Sequence, residues 1–259
     1  MDPQRPISPR GPLSVALRAL APEGHVEEPA LGALKVLPRL LDLSGSVALA
    51  GALSSPLVHR RPVDGTPDEL VKDLEERLSE LEARLGAVFR GELPVSSPAR
   101  MRRDLRSPGP SMDGTHPGVR AIRAPFTRYL QGNVFDVRSA LSTWRLDLAP
   151  RIAALSEGAA RLEAIDAALT EATSRQVEVL IARLFTRLDA AFAEDAKEAL
   201  LALPTRFDIE HLEPWFEEGG WVPRYLAKVG AVVKAVYSHE ASRLRALVRS
   251  ACDCAWRTS

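Results

Sequence analysis

This chain of 259 residues lacks several features that would point to a class of protein. It has two cysteines, few aromatic residues (5%) and no net charge, because 34 Lys and Arg residues balance 34 Asp and Glu residues. Without a surplus of positive charge, no overall field draws the chain to nucleic acid or to an anionic membrane. Cys252 and Cys254 stand two apart in a predicted helix, so they point to different faces. They make a poor disulfide pair, and a reducing compartment fits them better.

Long apolar runs are missing as well. The least charged stretch, residues 43–58, is 16 residues long, whereas a membrane-spanning helix needs about 20 mainly apolar residues. Residues 1–12 contain four prolines and no apolar segment behind a basic start, so they do not resemble a secretory signal. We therefore expect a soluble, cytoplasmic protein with no membrane span.

The motifs of nucleotide-dependent enzymes and of serine hydrolases are absent: there is no G-x-x-x-x-G-K-S/T, no G-x-G-x-x-G and no G-x-S-x-G. His211 lies between Glu210 and Glu213, and such groups can ligate a metal or act as a base. Their spacing matches no zinc signature, and Pro214 follows at once. The Cys-x-Cys pair is not the C-x-x-C of redox proteins. We predict no catalytic residue, no metal site and no cofactor, and a protein that is not an enzyme.

What the sequence does contain is apolar residues at helical spacing. Between residues 130 and 155 they recur mostly in steps of four and three. A period of about 3.5 places them on one stripe of a helix, which predicts a seam that packs against another helix. The members of this stripe are Leu130, Val134, Val137, Leu141, Trp144, Leu148, Ile152 and Leu155.

A second stripe lies within a helix predicted at about 159–193, and Gly158 allows a turn between the two. The simplest arrangement is a long antiparallel helical hairpin of coiled-coil type. Pro150 should kink or split the first helix, and Ala172 and Gln176 mark a thinner part of the second stripe. This hypothesis excludes strands and a deep polar cavity between residues 125 and 200. The second stripe comprises Leu162, Ile165, Leu169, Val177, Leu180, Leu184 and Leu188.

Further helices are predicted at 13–20, at 30–53 as one helix or two, from 66 to 88, and at 222–256. The third begins with a capping box, in which Thr66 is the N-cap, Pro67 the first helical residue and Glu69 the residue three after the cap. Ala, Leu and Arg dominate the composition and favour helix over sheet. The predicted fold class is therefore all-α, an elongated helical bundle.

Residues 91–118 interrupt the helical pattern. Five prolines, with Gly and Ser between them, predict a linker or a disordered, mobile loop that fills no core. The chain then divides into an N-terminal helical region (1–90), a flexible linker (91–120) and a C-terminal long-helix bundle (121–259).

Two segments are candidates for binding a partner. Residues 100–106 of the linker carry four arginines against the single Asp104, which predicts either a docking site for nucleic acid, lipid headgroups or an acidic partner, or a solvated linker. A loop near residue 215 holds the densest aromatic cluster, which either anchors a partner or caps the core end. The residues concerned are Arg100, Arg102, Arg103, Arg106, Trp215, Phe216 and Trp221.

Two stretches, LPRLLDLSGSVALAGALSSP at 37–56 and LAPRIAALSEGAARLEAIDAAL at 148–169, resemble a bacterial family of unknown function. Its members are small cytoplasmic proteins encoded beside MotA-like and MotB/OmpA-like proton-channel proteins. They include accessory subunits of the third type of the Zorya phage-defence system. The family carries an aromatic residue before its Leu-Asp pair and an acidic residue after it. Here Leu41 precedes Asp42 and Ser44 follows the next leucine, so no functional residue is carried over.

The resemblance implies a non-enzymatic accessory or adaptor protein of an ion-driven, membrane-motor-linked complex, acting in phage defence. Its partners would be a cytoplasmic tail of the motor or a second accessory subunit. Two alternatives remain open. The chain is a nucleic-acid-binding effector that uses the basic linker with Arg120, Arg123 and Arg128, in which case binding falls steeply with salt. Otherwise it is a homo-oligomeric coiled-coil scaffold.

Overall fold

The computed structural model describes residues 12–19, 43–54, 66–106 and 117–256. Within these ranges every regular element is a helix and no strand occurs, which confirms the predicted all-α class. The α-helices are α1 (Pro12–Ala19), α2 (Leu43–Ser54), α3 (Pro67–Phe89), α4 (Pro98–Arg106), α5 (Pro117–Leu155), α6 (Glu157–Leu201) and α7 (Trp221–Trp256). Two short 3-10 turns, Ile209–His211 and Glu213–Trp215, lie between α6 and α7.

Helix α3 begins at the predicted capping box. Thr66 Oγ1 accepts a hydrogen bond from the backbone N–H of Glu69 at 3.3 Å, and Glu69 Oε2 accepts one from the N–H of Thr66 at 2.8 Å. These bonds satisfy N–H groups that the start of a helix leaves without partners. The apolar stripe behind the cap is buried as predicted, and it comprises Leu70, Leu74, Leu78, Leu81, Leu85 and Val88.

Helix α4 corrects the prediction of an unstructured linker. Pro98 opens this helix, where a missing N–H is tolerated, and Ser97 Oγ accepts a hydrogen bond from the N–H of Arg100 at 3.3 Å. Met101 supplies the apolar contact, since its side chain is fully buried. The predicted loop is therefore wrong over 98–106, because one buried methionine and a local cap suffice to order a short helix. Residues 107–116 of the predicted loop lie outside the described residues.

Helix α5 extends beyond the predicted stripe and is not split at Pro150. It starts at Pro117 and continues without interruption to Leu155, with Pro125 and Pro150 inside it. A proline deprives the carbonyl group four residues earlier of its donor. Both Leu146 and Pro150 lie on the exposed side of the helix, so water can satisfy that carbonyl group and the helix persists.

The chain turns at Ser156, just before the predicted Gly158. Ser156 has an extended backbone, and its Oγ accepts a hydrogen bond from the N–H of Ala159 at 3.1 Å, which caps α6. Ion pairs join α5 to α6 at Arg123–Asp189, at Arg138–Glu178 (4.0 Å) and at Arg145–Asp166 (2.5 Å). The two helices therefore meet at these three pairs of residues.

Helix α7 occupies the centre of the packing. It contacts α1, α3, α5 and α6, while α2 packs on α6 and α4 on α5. The predicted apolar stripe of α7 is buried in full, and it comprises Val229, Val232, Val233, Val236, Leu244, Leu247 and Val248. The hydroxyl group of Tyr237 donates a hydrogen bond to the carbonyl oxygen of Leu78 on α3 at 3.1 Å.

The buried apolar residues of α3, α5, α6 and α7 form one continuous core. This core crosses the boundary that the sequence placed between residues 1–90 and 121–259. The division of the chain into these regions stays a prediction.

The close approach of α3 to α7 depends on Gly230. A Cβ atom at this position would clash with the carbonyl oxygen of Val88 and would lie 2.6 Å from that of Phe89. By contrast, Gly132 lies on the exposed side of α5, where a Cβ atom would meet nothing within 4 Å. The two glycines are both inside helices, and they differ in the packing around them.

Gly230→Ala should lower the free energy of unfolding by about 1–3 kcal/mol, because the helices must move apart to admit the methyl group. Gly132→Ala should raise it by about 0.5–1 kcal/mol, since alanine is the better helix former. Urea unfolding followed by circular dichroism measures both. A Gly230→Ala variant as stable as the parent chain would contradict the close approach of α3 to α7.

Candidate functional site

The arginines of the predicted linker are largely engaged in ion pairs. Arg102 and Arg106 both face Asp208, with Nη2 at 2.7 Å and 3.7 Å from its Oδ1. Arg100 lies 3.9 Å from Asp104 on the same helix, while Arg103 is exposed. Asp208 is distant in sequence, which is why the sequence showed only Asp104 opposite these arginines.

Two of the arginines that the nucleic-acid hypothesis adds are also engaged. Arg123 pairs with Asp189, and Arg128 Nε donates a hydrogen bond to the carbonyl oxygen of Ala124 at 3.4 Å. Neutralised arginines release fewer counterions from a phosphate backbone. Nucleic-acid binding stays a prediction, and these ion pairs weaken its basis.

The tryptophans of the aromatic segment belong to the core. Trp215 and Trp221 are buried, and their rings lie 5.8 Å apart. Trp221 also lies 5.5 Å from Phe192 and 6.0 Å from Phe126, and Phe216 is half-buried. Their burial counts against the two tryptophans as partner-binding residues, and that role stays a prediction. Their position fits the alternative, in which they cap one end of the core.

His211 and Cys252, the other residues considered for chemistry, are engaged in contacts within the fold. His211 Nδ1 accepts a hydrogen bond from the backbone N–H of Asp208 at 3.2 Å, which stabilises the turn that contains it. Cys252 is buried, and its Sγ lies 3.5 Å from the carbonyl oxygen of Pro67. Burial raises the pKa of this thiol, and the neighbouring Asp253 acts in the same direction. Over the described ranges, no group of three or more His, Cys, Asp or Glu residues is placed to hold a metal ion.

A groove that the sequence did not single out lies where α5, α6 and α7 meet. Its volume is about 520 Å³. It runs along residues 131–145 of α5 and 166–185 of α6, and α7 contributes Glu240, Arg243 and Leu244. We call it the arginine groove after Arg138, Arg145 and Arg243, which line it.

Two of these arginines converge on one hydroxyl group. Arg243 Nη2 donates a hydrogen bond to Thr170 Oγ1 at 2.8 Å, and Arg145 Nη1 donates a second one to the same oxygen. Thr170 in turn donates to the carbonyl oxygen of Asp166. Arg145 Nη2 also lies 2.5 Å from Asp166 Oδ2, in an ion pair whose angles are not those of a hydrogen bond. The floor of the groove thus holds two guanidinium groups and one paired carboxylate.

His239 lies next to the floor of the groove and contributes no charge to it. His239 precedes Glu240 on α7, and its Nε2 is buried. Burial lowers the pKa of His239; Glu240 opposes this shift and Arg243 reinforces it. The imidazole is therefore neutral at pH 7, and the positive charge of the groove comes from its arginines.

Apolar side chains form much of the wall. Phe135 stands at the rim with 70% of its surface exposed, although most large apolar residues of α5 are buried. The groove is open to solvent at this side, since Gln131, Ser139 and Ser142 are exposed too. The other apolar lining residues are Val134, Leu141, Val177, Ile181, Phe185 and Leu244.

The hairpin hypothesis excluded a deep polar cavity between residues 125 and 200. The groove corrects it in part, because its floor is charged even though its walls are mainly apolar. The sequence did carry a signal: the thinner stretch near Ala172 and Gln176 lies beside Thr170 and Ser174, which line the groove. Short polar side chains at these positions leave the space that leucine would fill.

A family model described as a protein of unknown function, DUF3348, matches residues 3–245. The match covers most of the chain, so the chain belongs to this family. No curated protein matches it at a significant level. No solved structure does so either. Among the helices that the structure describes, none combines the length and the apolar character needed to cross a membrane.

The ion pair at the floor of the groove should contribute measurably to stability. A double-mutant cycle of Arg145→Gln and Asp166→Asn should give a coupling free energy of about 1 kcal/mol, because both side chains are half-buried and close. The same cycle on Arg138 and Glu178, at 4.0 Å and more exposed, should give about 0.3 kcal/mol or less. Urea unfolding supplies the four free energies of each cycle. Equal coupling in both pairs would contradict the described floor.

Proposed function

We propose that the chain is a non-enzymatic adaptor that binds a partner protein in the arginine groove. The observation that carries this proposal is Phe135, a large aromatic side chain left 70% exposed at the rim of an apolar-walled groove. Contiguous exposed apolar surface marks binding sites, whereas singly exposed apolar residues are common, so Phe135 supports the proposal through its place in the lining of the groove. The proposal assigns the chain no reaction of its own.

A long antiparallel hairpin of α5 and α6 is part of this proposal. The ion pairs between the two helices support it. Along α5, Arg123, Arg138 and Arg145 follow one another, and their partners on α6, Asp189, Glu178 and Asp166, come in decreasing residue number. This order is that of antiparallel helices. Such a hairpin offers a docking face tens of ångströms long at about 1.5 Å per residue. A helix laid in a groove of this kind is a recurrent mode of recognition.

The setting we propose is the one that the sequence resemblance implies. The chain would act in the cytoplasm as an accessory subunit of an ion-driven, membrane-motor-linked complex of the Zorya type, in defence against phage. The occupant of the groove would be a cytoplasmic tail of the motor or a second accessory subunit. The resemblance at residues 37–56 and 148–169 supports this setting, and membership of DUF3348 leaves the function open.

A homo-oligomeric scaffold is the second candidate, and one observation favours it. Leu146 is 73% exposed, and it lies eleven residues after Phe135 on the same face of α5, because eleven residues span three helical turns. Two copies of α5 packed in opposite directions would bring Phe135 of each copy close to Leu146 of the other. Light scattering that finds a monomer over a wide concentration range would exclude this candidate.

Complementation in cells tests the adaptor role. Deleting the gene from an otherwise intact locus should abolish protection against phage, measured as plaque formation. The parent gene should restore protection, whereas Phe135→Glu should not, because a carboxylate at the rim opposes apolar docking. Leu201→Glu is the matched control, since Leu201 is equally exposed (70%) and lies at the end of α6 away from the groove.

Two outcomes would count against the proposal. Unchanged protection after deletion would exclude the defence role. Full restoration by a Phe135→Glu variant that accumulates to the parent level would exclude the groove as the docking site. Circular dichroism of both purified variants checks that neither substitution unfolds the chain.

A further inference from the structure

Arg243 is the one cation of the arginine groove that forms no ion pair with a described residue. Arg145 lies against Asp166, and Arg138 lies 4.0 Å from Glu178. Arg243 instead donates a hydrogen bond to the neutral hydroxyl group of Thr170. Within the described part of the chain, no carboxylate oxygen lies within 4.0 Å of its guanidinium, although Glu240 is one turn away on α7.

The surroundings of Arg243 make the lack of an ion pair energetically unfavourable. The side chain is half-buried, and the neighbouring Arg145 donates to the same hydroxyl oxygen, so two like charges share one neutral acceptor. Removing a charge from water without a counter-charge is unfavourable. A carboxylate placed on Arg243 would relieve the repulsion and would accept two parallel N–H bonds from its planar guanidinium.

The walls of the groove specify what else the ligand must carry. Val134, Leu141 and Val177 line it, together with the exposed Phe135. Val134, Leu141 and Val177 are themselves buried by the chain, so the apolar surface that a purely anionic ligand would leave in contact with water is mainly Phe135. The groove therefore fits a ligand that combines an apolar face with a single acidic group.

The length of the groove suits a helix. Its lining residues extend from Gln131 to Arg145 on α5 and from Asp166 to Phe185 on α6. At 1.5 Å per residue these segments are roughly 20–30 Å long. A helix of about 14–19 residues matches that length.

We propose that the arginine groove binds an amphipathic helix of a partner protein whose apolar stripe carries one Asp or Glu, and that this carboxylate pairs with Arg243. The proposal rests on the adaptor function above and specifies the partner for it. Arg145 and Thr170 position the guanidinium of Arg243, and Phe135 covers the apolar side of the bound helix.

A display library of helical peptides tests this specificity even though the natural partner is unidentified. The probes are helices of about 17 residues with apolar, polar and acidic residues randomised, selected on the full-length chain. Selected helices should carry an acidic residue within the apolar stripe. Arg243→Gln should weaken their binding by about tenfold or more, that is by about 1.4 kcal/mol.

Arg249→Gln is the matched control for Arg243→Gln. Arg249 lies on the same helix and pairs with Glu75 at 3.3 Å, away from the groove. Its loss should change peptide binding by less than about twofold, because it does not contact the bound helix. Replacing the acidic residue of a selected peptide by its amide should reproduce the loss seen with Arg243→Gln and should cause no further loss in that variant.

The outcomes separate this inference from the adaptor function. The inference would be overturned if the selected helices lack the acidic residue or bind Arg243→Gln as well as the parent chain. If Phe135→Glu still abolishes their binding in that case, the adaptor function stands. Helices that ignore both substitutions would overturn both. Acetate and inorganic phosphate are the small-anion probes. If either displaces the selected helices at low concentration through Arg243, the groove is a small-anion site and the inference fails.

Discussion

The structure depends on the burial of the apolar face of α7. Its valines, Val229, Val232, Val233 and Val236, are almost completely enclosed by neighbouring helices that include α3, α5 and α6. Fully burying one such side chain contributes roughly 1.5–3 kcal/mol. Helix α1 and the 3-10 turn Glu213–Trp215 contact α7 as well, so the positions of these neighbours follow from how they fit this face. Gly230 shows how close the fit is, because the backbone of α3 occupies the space that a side chain would need.

The same packing explains why a groove exists. Near Thr170 and Ser174, α6 presents short polar side chains, and the three central helices cannot close over them. Arg145 and Arg243 enter the resulting space from α5 and α7 and meet at Thr170. A charged floor with apolar walls is unsuited to the interior of a core, and it suits a surface that a partner completes. The adaptor proposal follows from this combination.

The sequence was sufficient for the elements whose burial is one-sided and strongly periodic. The stripe of α7 and the capping box at Thr66 were predicted residue by residue, because spacing and local hydrogen bonding determine them. The prediction of helices and of buried residues was poorer where residues distant in the sequence form the environment of a side chain. Helix α4 was missed because its single buried residue, Met101, carries no periodic signal. Leu162, Ile165 and Leu169 are only half-buried, whereas the smaller Ala159 and Ala168 are buried.

The charged part of the candidate site was missed in the sequence for a related reason. Arg145 and Arg243 are almost a hundred positions apart, and each lies among charged residues typical of a solvated helix face. Only the packing of α5 and α7 on α6 brings them to one hydroxyl group. Conversely, the aromatic cluster that looked most like an anchor is buried, because Phe126 and Phe192 from two distant helices enclose Trp221.

If the adaptor proposal holds, the rim of the arginine groove contacts a second protein in the cell. Crosslinking is the decisive test, in which a photoreactive phenylalanine derivative replaces Phe135 in the full-length chain and living cells are irradiated. We predict one discrete adduct with a different protein, absent when the same derivative replaces Leu201. Adducts formed equally at both positions, or no adduct at position 135 in cells where the protein is active, would contradict the proposal.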